Sequence, residues 1–494
     1  FATLTKALDV AQAQDTIWVA ASTYYPDDGP GVTDDDRTAN FTITGAQDGL
    51  AIYGGFAGTE TTLAARNLTA GNETILSGDI DQDGALSGNS YHVLVFDGGD
   101  CDACTLNAGG GPGIGPDVAP NVTSATVLDG VTVAGGNANE SYAPHDRGGG
   151  LYCDGVGHEC SPMIQNTIFS GNAAALFGGA MLNNGSNGGT SSPQVVNATF
   201  TGNTASYGGA IANSVGQGEI SGDNGTSSPQ ITNATFNGNT ADNSGGAIFN
   251  FVYIGEVGTI NPVITNTILW DNGDEVANSG LATTQYSHSL IQGSGGSANW
   301  NGTLGTDNGN NLDADPLFVD ASDPDGADNA FATADDGLRV MPSSPALDAG
   351  DGTALPADVA DLDGDDDTSE SLPIDLIGAS RIQEGTVDLG AYEGSLPPLS
   401  FDAFAPSAAA PGETVTVTGT RLTNTSSVTI GGTDAPFTVE SSTEVTATVP
   451  DGASTGAIEL TVDGQTVSGA SDLTVVDPPY GPETALSFDG ATDG

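Results

Sequence analysis

PMIQNTIFSGN (162–172), PQVVNATFTGN (193–203), PQITNATFNGN (229–239) and PVITNTILWDN (262–272) are near-copies of one pattern. They start 31, 36 and 33 residues apart. Three are followed by a second motif: GGAMLN (178–183), GGAIAN (208–213) and GGAIFN (245–250). A period of this size marks a repeat whose single unit buries its apolar face only against its neighbours.

The matched positions fall into columns. Ile164, Val195, Ile231 and Ile264 stand two residues after each Pro, and Asn166, Asn197, Asn233 and Asn266 two further on. A small column follows, Thr167, Ala198, Ala234 and Thr267, then a large one, Phe169, Phe200, Phe236 and Leu269. Spacing by two is strand periodicity, and the runs are too short for helices. A second Asn column stands at Asn172, Asn203, Asn239 and Asn272, and a third at Asn183, Asn213 and Asn250. Short parallel strands punctuated by Asn and Gly predict an all-β coil climbing one strand spacing per turn, a parallel β-helix. Asn suits the corners because it tolerates left-handed backbone, and its amide can bond to the copies above and below. Ile168, Thr199, Thr235 and Ile268 form the outward column, which carries no acid–base group and reads as a structural face.

The whole chain sets bounds. Its 494 residues suffice for two or three domains. Only 7 Lys+Arg face 64 Asp+Glu, a formal charge of −57. That excludes nucleic acid and anionic membrane as expected partners, because binding phosphate needs cations. Such a surface suits high salt, where screening relieves self-repulsion, and implies a halophile. No apolar run reaches membrane-spanning length, so this segment is not expected to insert in a membrane. The chain starts at Phe1 without a signal peptide and reads as an internal piece of a larger secreted or surface polypeptide. Cys101/Cys104 and Cys153/Cys160 form two close pairs, and two local disulfides fit an extracellular chain. A zinc site using these four, or His158, is the alternative.

Residues 4–13 read as a short amphipathic helix capping the coil, followed by a strand at 16–20. Further strands are expected at 40–44, 50–53, 74–76, 92–96 and 126–133, with a Gly/Pro-rich insertion at 97–120. The segments between copies, such as 184–192 and 214–228, vary in length, and variable loops on a regular coil are where binding usually resides.

TIWVAASTYYPDD, AIYGGFAGTE, TILSGDIDQDG and the GGA(I/M) and F-x-x-N repeats together resemble right-handed parallel β-helix surface proteins of the polymorphic-outer-membrane-protein-like kind. LDADPLFVD, ADDGLRVMPSSPALDAG, DLDGDDD and TVDLGAYEG within 312–394 resemble the choice-of-anchor Q region that closes many such coils. The resemblance covers roughly residues 1–395 and implies a secreted or surface-displayed protein, mostly without assigned catalysis. After Pro397-Pro398, alternating strands with close turn signals read as an Ig-like sandwich over 396–478. Its PGETVTVTGT start, I-G-G turn (430–432) and TVPDGASTG (448–456) resemble IPT/TIG domains, which serve as spacers or binding modules. Residues 479–494 read as a linker, with ALSFDG (485–490) similar to the opening of a laminin-G-like domain.

Three acidic sets are candidate Ca2+ ligands, because hard cations take carboxylate oxygens from closely spaced loop positions. Asp79, Asp81 and Asp83 with Gly84 form D-x-D-x-D-G, but the twelfth position is Ser90, so a full EF-hand is excluded. Asp361, Asp363 and Asp365 repeat the spacing. Asp323, Asp325, Asp328, Asp335 and Asp336 form the third set, whose mutual repulsion an ion would relieve. Tyr207, Phe251, Tyr253, Trp270 and Trp300 are loop aromatics that stack on sugars or pack under loops.

The expectation is a non-catalytic adhesin-type spacer and binding scaffold whose partner is carbohydrate or another surface protein. Two other readings stand beside it. One is a carbohydrate-active enzyme, lyase or hydrolase, on the same coil, for which His145-Asp146-Arg147 is the cationic constellation near the repeats. The other is a self-associating subunit of a surface filament or layer.

Overall fold

The computed structural model describes residues 1–476 apart from 30, 69–70, 99–120, 217–223, 254, 359–360, 366, 384, 395–398 and 463. Cys101, Cys104 and the laminin-G-like start at 479–494 lie outside the described residues. The chain is almost all β and divides into two compact units, Phe1–Gly394 and Ser395–Gly494.

In the first unit, each repeat contributes one strand to each of three parallel sheets. The first sheet has nine strands, running from Thr16–Ala20 through Met163–Gln165, Gln194–Val196, Gln230–Thr232 and Val263–Thr265 to Thr306–Asp307. The second has eight, including Ile168–Ser170, Thr199–Thr201, Thr235–Asn237 and Ile268–Trp270. The third has seven, including Met181–Asn184, Ile211–Val215 and Ile248–Val252. Register is strict: Ile164 pairs Val195, Val195 pairs Ile231, and Ile231 pairs Ile264. Like residues therefore stack on like, and the long parallel sheets fit a solenoid.

The stack has one continuous apolar core. Ile164, Val195, Ile231 and Ile264 are fully buried, as are Phe169, Phe200, Phe236 and Leu269. The Phe rings lie flat on each other, 4.8 Å from 169 to 200 and 4.5 Å from 200 to 236. Those distances match the strand spacing, so each ring inherits its position from the backbone. Such pairs add roughly 0.5–1.5 kcal/mol each beyond the area they bury. Each GG doublet serves two needs. Gly178, Gly208 and Gly245 have φ of 63°, 65° and 69°. The Gly after each meets stacked backbone closely: a Cβ at Gly246 would lie 1.7 Å from the Asn272 carbonyl oxygen.

Two sequence expectations change. The 126–133 strand is two strands, Val127–Asp129 and Thr132–Ala134, turning at Gly130 (φ 71°). Gly130 occupies the corner that Asn166 fills in the next coil, so the repeat begins one coil earlier than its Asn columns suggest. The N-terminal helix spans only Leu4–Leu8, with the Thr3 side chain accepting from Lys6 N, and Leu4, Ala7 and Leu8 buried on the core.

The segment resembling choice-of-anchor Q lies along the coil's flank. Phe318, Phe331, Leu338, Leu376, Leu389 and Tyr392 pack with Ile168, Ile268 and Leu290. Leu362 and Leu372 pack with Met163 and Val196. The outward column is therefore buried beneath this strap.

In the second unit, two antiparallel four-stranded sheets enclose Val415, Val417, Val428, Ile430, Val445, Ile458 and Leu460. Strand Thr414–Thr420 alternates buried and exposed side chains, as a two-sheet sandwich requires.

Candidate functional site

The three Asn columns have different chemistry. In the second, Asn203 Oδ1 accepts from Asn172 N and Nδ2, both at 3.0 Å. Asn239 Oδ1 serves Asn203 in the same way, and Asn272 Oδ1 serves Asn239. Each Nδ2 also donates to the carbonyl of the large core residue one coil back, Asn172 to Val133 O and Asn239 to Phe200 O (both 2.9 Å). The third column runs Asn183 to Asn213 (2.8 Å), Asn213 to Asn250 (2.7 Å) and on to Asn278 (2.9 Å). Asn278 escaped sequence reading because no GGA doublet precedes it.

The first column is the left-handed corner, with φ of 48° to 51° at Asn166, Asn197, Asn233 and Asn266. Its amides bond in pairs, Asn197 to Asn166 and Asn266 to Asn233. Asn166 also donates to Asp129 Oδ1 (3.2 Å), and the other three reach the strap. Asn197 donates to Ile374 O (2.8 Å), Asn233 to Asp388 O (3.3 Å) and Asn266 to Asp351 O (3.0 Å).

The acidic sets separate. Asp79, Asp81 and Asp83 bring one carboxylate oxygen each within 4.8 Å of the others. Asp79 Oδ2 accepts from Gly84 N and Asp83 Oδ1 from Ala85 N, which folds the loop inward. Asp79 Oδ1 is buried without a hydrogen-bond partner. Ser90 is fully buried in the coil and takes no part. Asp361, Asp363 and Asp365 also converge, and Asp363 belongs to a second triad with Asp358 and Glu370. Burial, then the nearby Asp365, Asp363, Asp367 and Asp358, raises the Glu370 pKa. Sequence spacing missed Asp358 and Glu370, which lie outside the D-x-D-x-D run. An all-carboxylate donor set fits a hard cation such as Ca2+ and does not suit softer metals.

Asp323, Asp325, Asp328, Asp335 and Asp336 do not gather into such a group. Asp336 is buried and accepts from Ala332 N, Thr333 N, Thr333 Oγ1 and Tyr392 Oη. Asp335 accepts from Thr333 Oγ1 and Asp328 N. Local hydrogen bonds offset part of the repulsion expected in this set.

Cys153, Cys160 and Arg147 are accounted for locally. Cys153 and Cys160 are disulfide-bonded with Cα atoms 5.7 Å apart, which leaves neither free for zinc. Arg147 pairs with its neighbour Asp146, Nε to Oδ1 at 2.6 Å, both buried, and its Cζ lies 5.5 Å from the Phe177 ring centroid. Tyr207 and Phe251 pack with Phe177 and Phe249, while Trp300 packs on Tyr286. Tyr253 is partly exposed, its ring edge-on to Phe251. Trp270 packs against the strap's cluster. Outside that set, Trp18 is 41% exposed and stacked on Phe56 at 4.9 Å.

A chain of stacked parallel sheets leading to an Ig-like sandwich is the class this architecture defines. Residues 399–475 match the family model of the IPT/TIG domain. No curated protein matches the chain. Among solved structures it is similar to a provisionally named phosphatase from Bacteroides thetaiotaomicron, with 26% identity and a TM-score of 0.16 over 16% of this chain and 18% of that one. It is similar to an auxiliary nutrient binding protein from the same organism, with 20% identity and a TM-score of 0.15 over 16% and 21%. It is also similar to SGBP-B from a complex xyloglucan utilization locus in Bacteroides uniformis, with 24% identity and a TM-score of 0.15 over 18% and 25%. The chain thus spans a quarter or less of the length of these solved proteins. No helix among the described residues is long and apolar enough to cross a membrane.

Proposed function

We propose that this chain is a non-catalytic segment of an extracellular surface or adhesin-type protein. In this reading residues 1–395 form a right-handed parallel β-helix and the IPT/TIG sandwich follows as a second module. The pair acts as a rigid spacer and binding scaffold in high salt, with Ca2+ stapling the loops at Asp79–Asp83 and Asp358–Glu370. The supporting observation is the use of polar groups along the repeats. The Asn side chains bond to one another or to the strap, and the outward column lies under it. The outward column of the second sheet is covered by the strap, which supports placing binding elsewhere, in the loops or on the open part of the first sheet.

The test is incubation with neutral and acidic polysaccharides, with and without Ca2+, in high salt. No new reducing ends and no unsaturated products are expected. Cleavage that Arg147→Ala abolishes would replace this reading with that of a polysaccharide lyase or hydrolase.

A further inference from the structure

We infer that Trp18 and Tyr53 form a binding groove for a neutral saccharide, an inference that rests on the scaffold reading above. Trp18, on Thr16–Ala20, and Tyr53, on Ala51–Phe56, are partners in register on the first sheet. With Thr16 and Leu63 they line an open groove of about 520 Å³. Binding sites of this order take small ligands, combining apolar contact with a few convergent polar groups. Trp18 supplies the apolar contact. One indole face stacks on buried Phe56 with the planes 12° apart, which fixes the ring, while much of the rest is exposed. An aromatic face held in this way suits the C–H face of a pyranose ring.

Polar groups surround that face. The Thr16 hydroxyl, the Trp18 indole N–H and the Tyr53 hydroxyl have no hydrogen-bond partner among the described residues. Together they offer donors and acceptors to sugar hydroxyls. Tyr53 is held from behind by Arg66, whose Cζ lies 5.3 Å from its ring centroid and whose Nη1 pairs with buried Asp129 at 2.7 Å. Arg66 thereby positions the groove and need not touch the ligand.

Charge selects among saccharides. The rim is the Leu63–Ala65 turn, and the acidic loop lies against it: a Cβ on Gly364 would come within 2.5 Å of the Ala64 Cβ. Asp361, Asp363 and Asp365 thus stand beside the groove, on a chain of formal charge −57. One Ca2+ held among Asp358, Asp361, Asp363, Asp365, Asp367 and Glu370 would leave the loop net negative, so an anionic sugar would be repelled there and a neutral one would not.

The experiment is calorimetric titration of the chain with cellohexaose, mannohexaose and chitohexaose, with hexagalacturonate as the anionic comparison. At least one neutral hexasaccharide should bind and hexagalacturonate should not. Trp18→Ala should weaken binding about two- to tenfold, the scale of a lost aromatic stack, and Trp18→Phe should restore most of it. Melting temperatures of both variants show whether the fold is kept. No binding by any neutral probe, or equal binding by folded Trp18→Ala, overturns the groove. The same mixtures are analysed for cleavage. Cleaved saccharide would overturn the non-catalytic reading, whereas absent binding without cleavage would overturn the groove alone.

Discussion

Glu275 ends the ladder that Asn272 continues. Its Oε1 accepts from Asn272 N at 3.1 Å and its Oε2 from Asn272 Nδ2 at 2.6 Å. In the preceding coils one asparagine oxygen received both of those donors. A further Asn would need another coil to receive its own amide protons. Once ionised, above its raised pKa of about 7, this carboxylate accepts without donating, so it stops the series with no donor left over. The third column stops differently, as Asn278 Nδ2 donates to Leu304 O.

Asn233→Leu should destabilise the first unit by about 2–4 kcal/mol, because it strands buried partners and forces a branched side chain to φ 51°. Asn233→Gly should recover part of that loss by relieving the backbone alone. Asn301→Leu, at an exposed position, should change little. Denaturant unfolding of the three variants is the check, and equal losses at 233 and 301 would remove the ladder argument.

Stability should peak at about pH 4, the unfolded carboxylate range, and fall as pH rises toward 8. Burial pushes Glu393 up to about 8, Glu275 and Asp154 to about 7, and Asp336 and Asp388 to about 6. Between the unfolded carboxylate range and these values the folded chain holds more protons, so raising pH favours unfolding. On the acid side, Asp320, Asp335, Asp351 and Asp367 are lowered, chiefly by side-chain hydrogen bonds to Ser322, Thr333, Thr353 and Ser369. Their contribution is lost as pH falls through those lowered values. Melting temperature at constant high salt reads both limbs, and a steady rise from pH 5 to 8 would contradict the burial assignment.

Ca2+ should raise the melting temperature, most clearly at low ionic strength where screening is weak. Occupancy at a hundred times the dissociation constant stabilises by about 2.7 kcal/mol. Asp363→Asn should remove much of the shift because Asp363 serves both triads, and Asp325→Asn should leave it intact. An unchanged melting temperature in chelator and low salt counts against both the ion and the high-salt adaptation.

The repeats were legible because stacking demands the same residue type at the same position in every coil. Phe169, Phe200 and Phe236 show it, as does Asn at each corner. Legibility failed where another residue meets the same demand. Gly130 takes the left-handed corner without an amide, and Glu275 meets the last ladder donors with a carboxylate. The acidic sets show the limit of composition. Asp336 and Asp363 look alike in sequence, yet one is satisfied by Tyr392 and the 332–333 backbone while the other accepts from Asp365 N and faces the carboxylates of two triads. The Trp18 groove was hidden because its acidic neighbour lies some three hundred residues along the chain.

A stack of coils joined only to their neighbours loses its end units one at a time. The strap changes that here. Its backbone accepts from Asn197, Asn233 and Asn266 in three successive coils, and its side chains cover Ile168 in the coil before. Opening any one of these coils must also disturb the segment that clasps the other three. The array is therefore splinted, and the part bearing the repeats should give way as one body under heat or pull rather than unravel turn by turn.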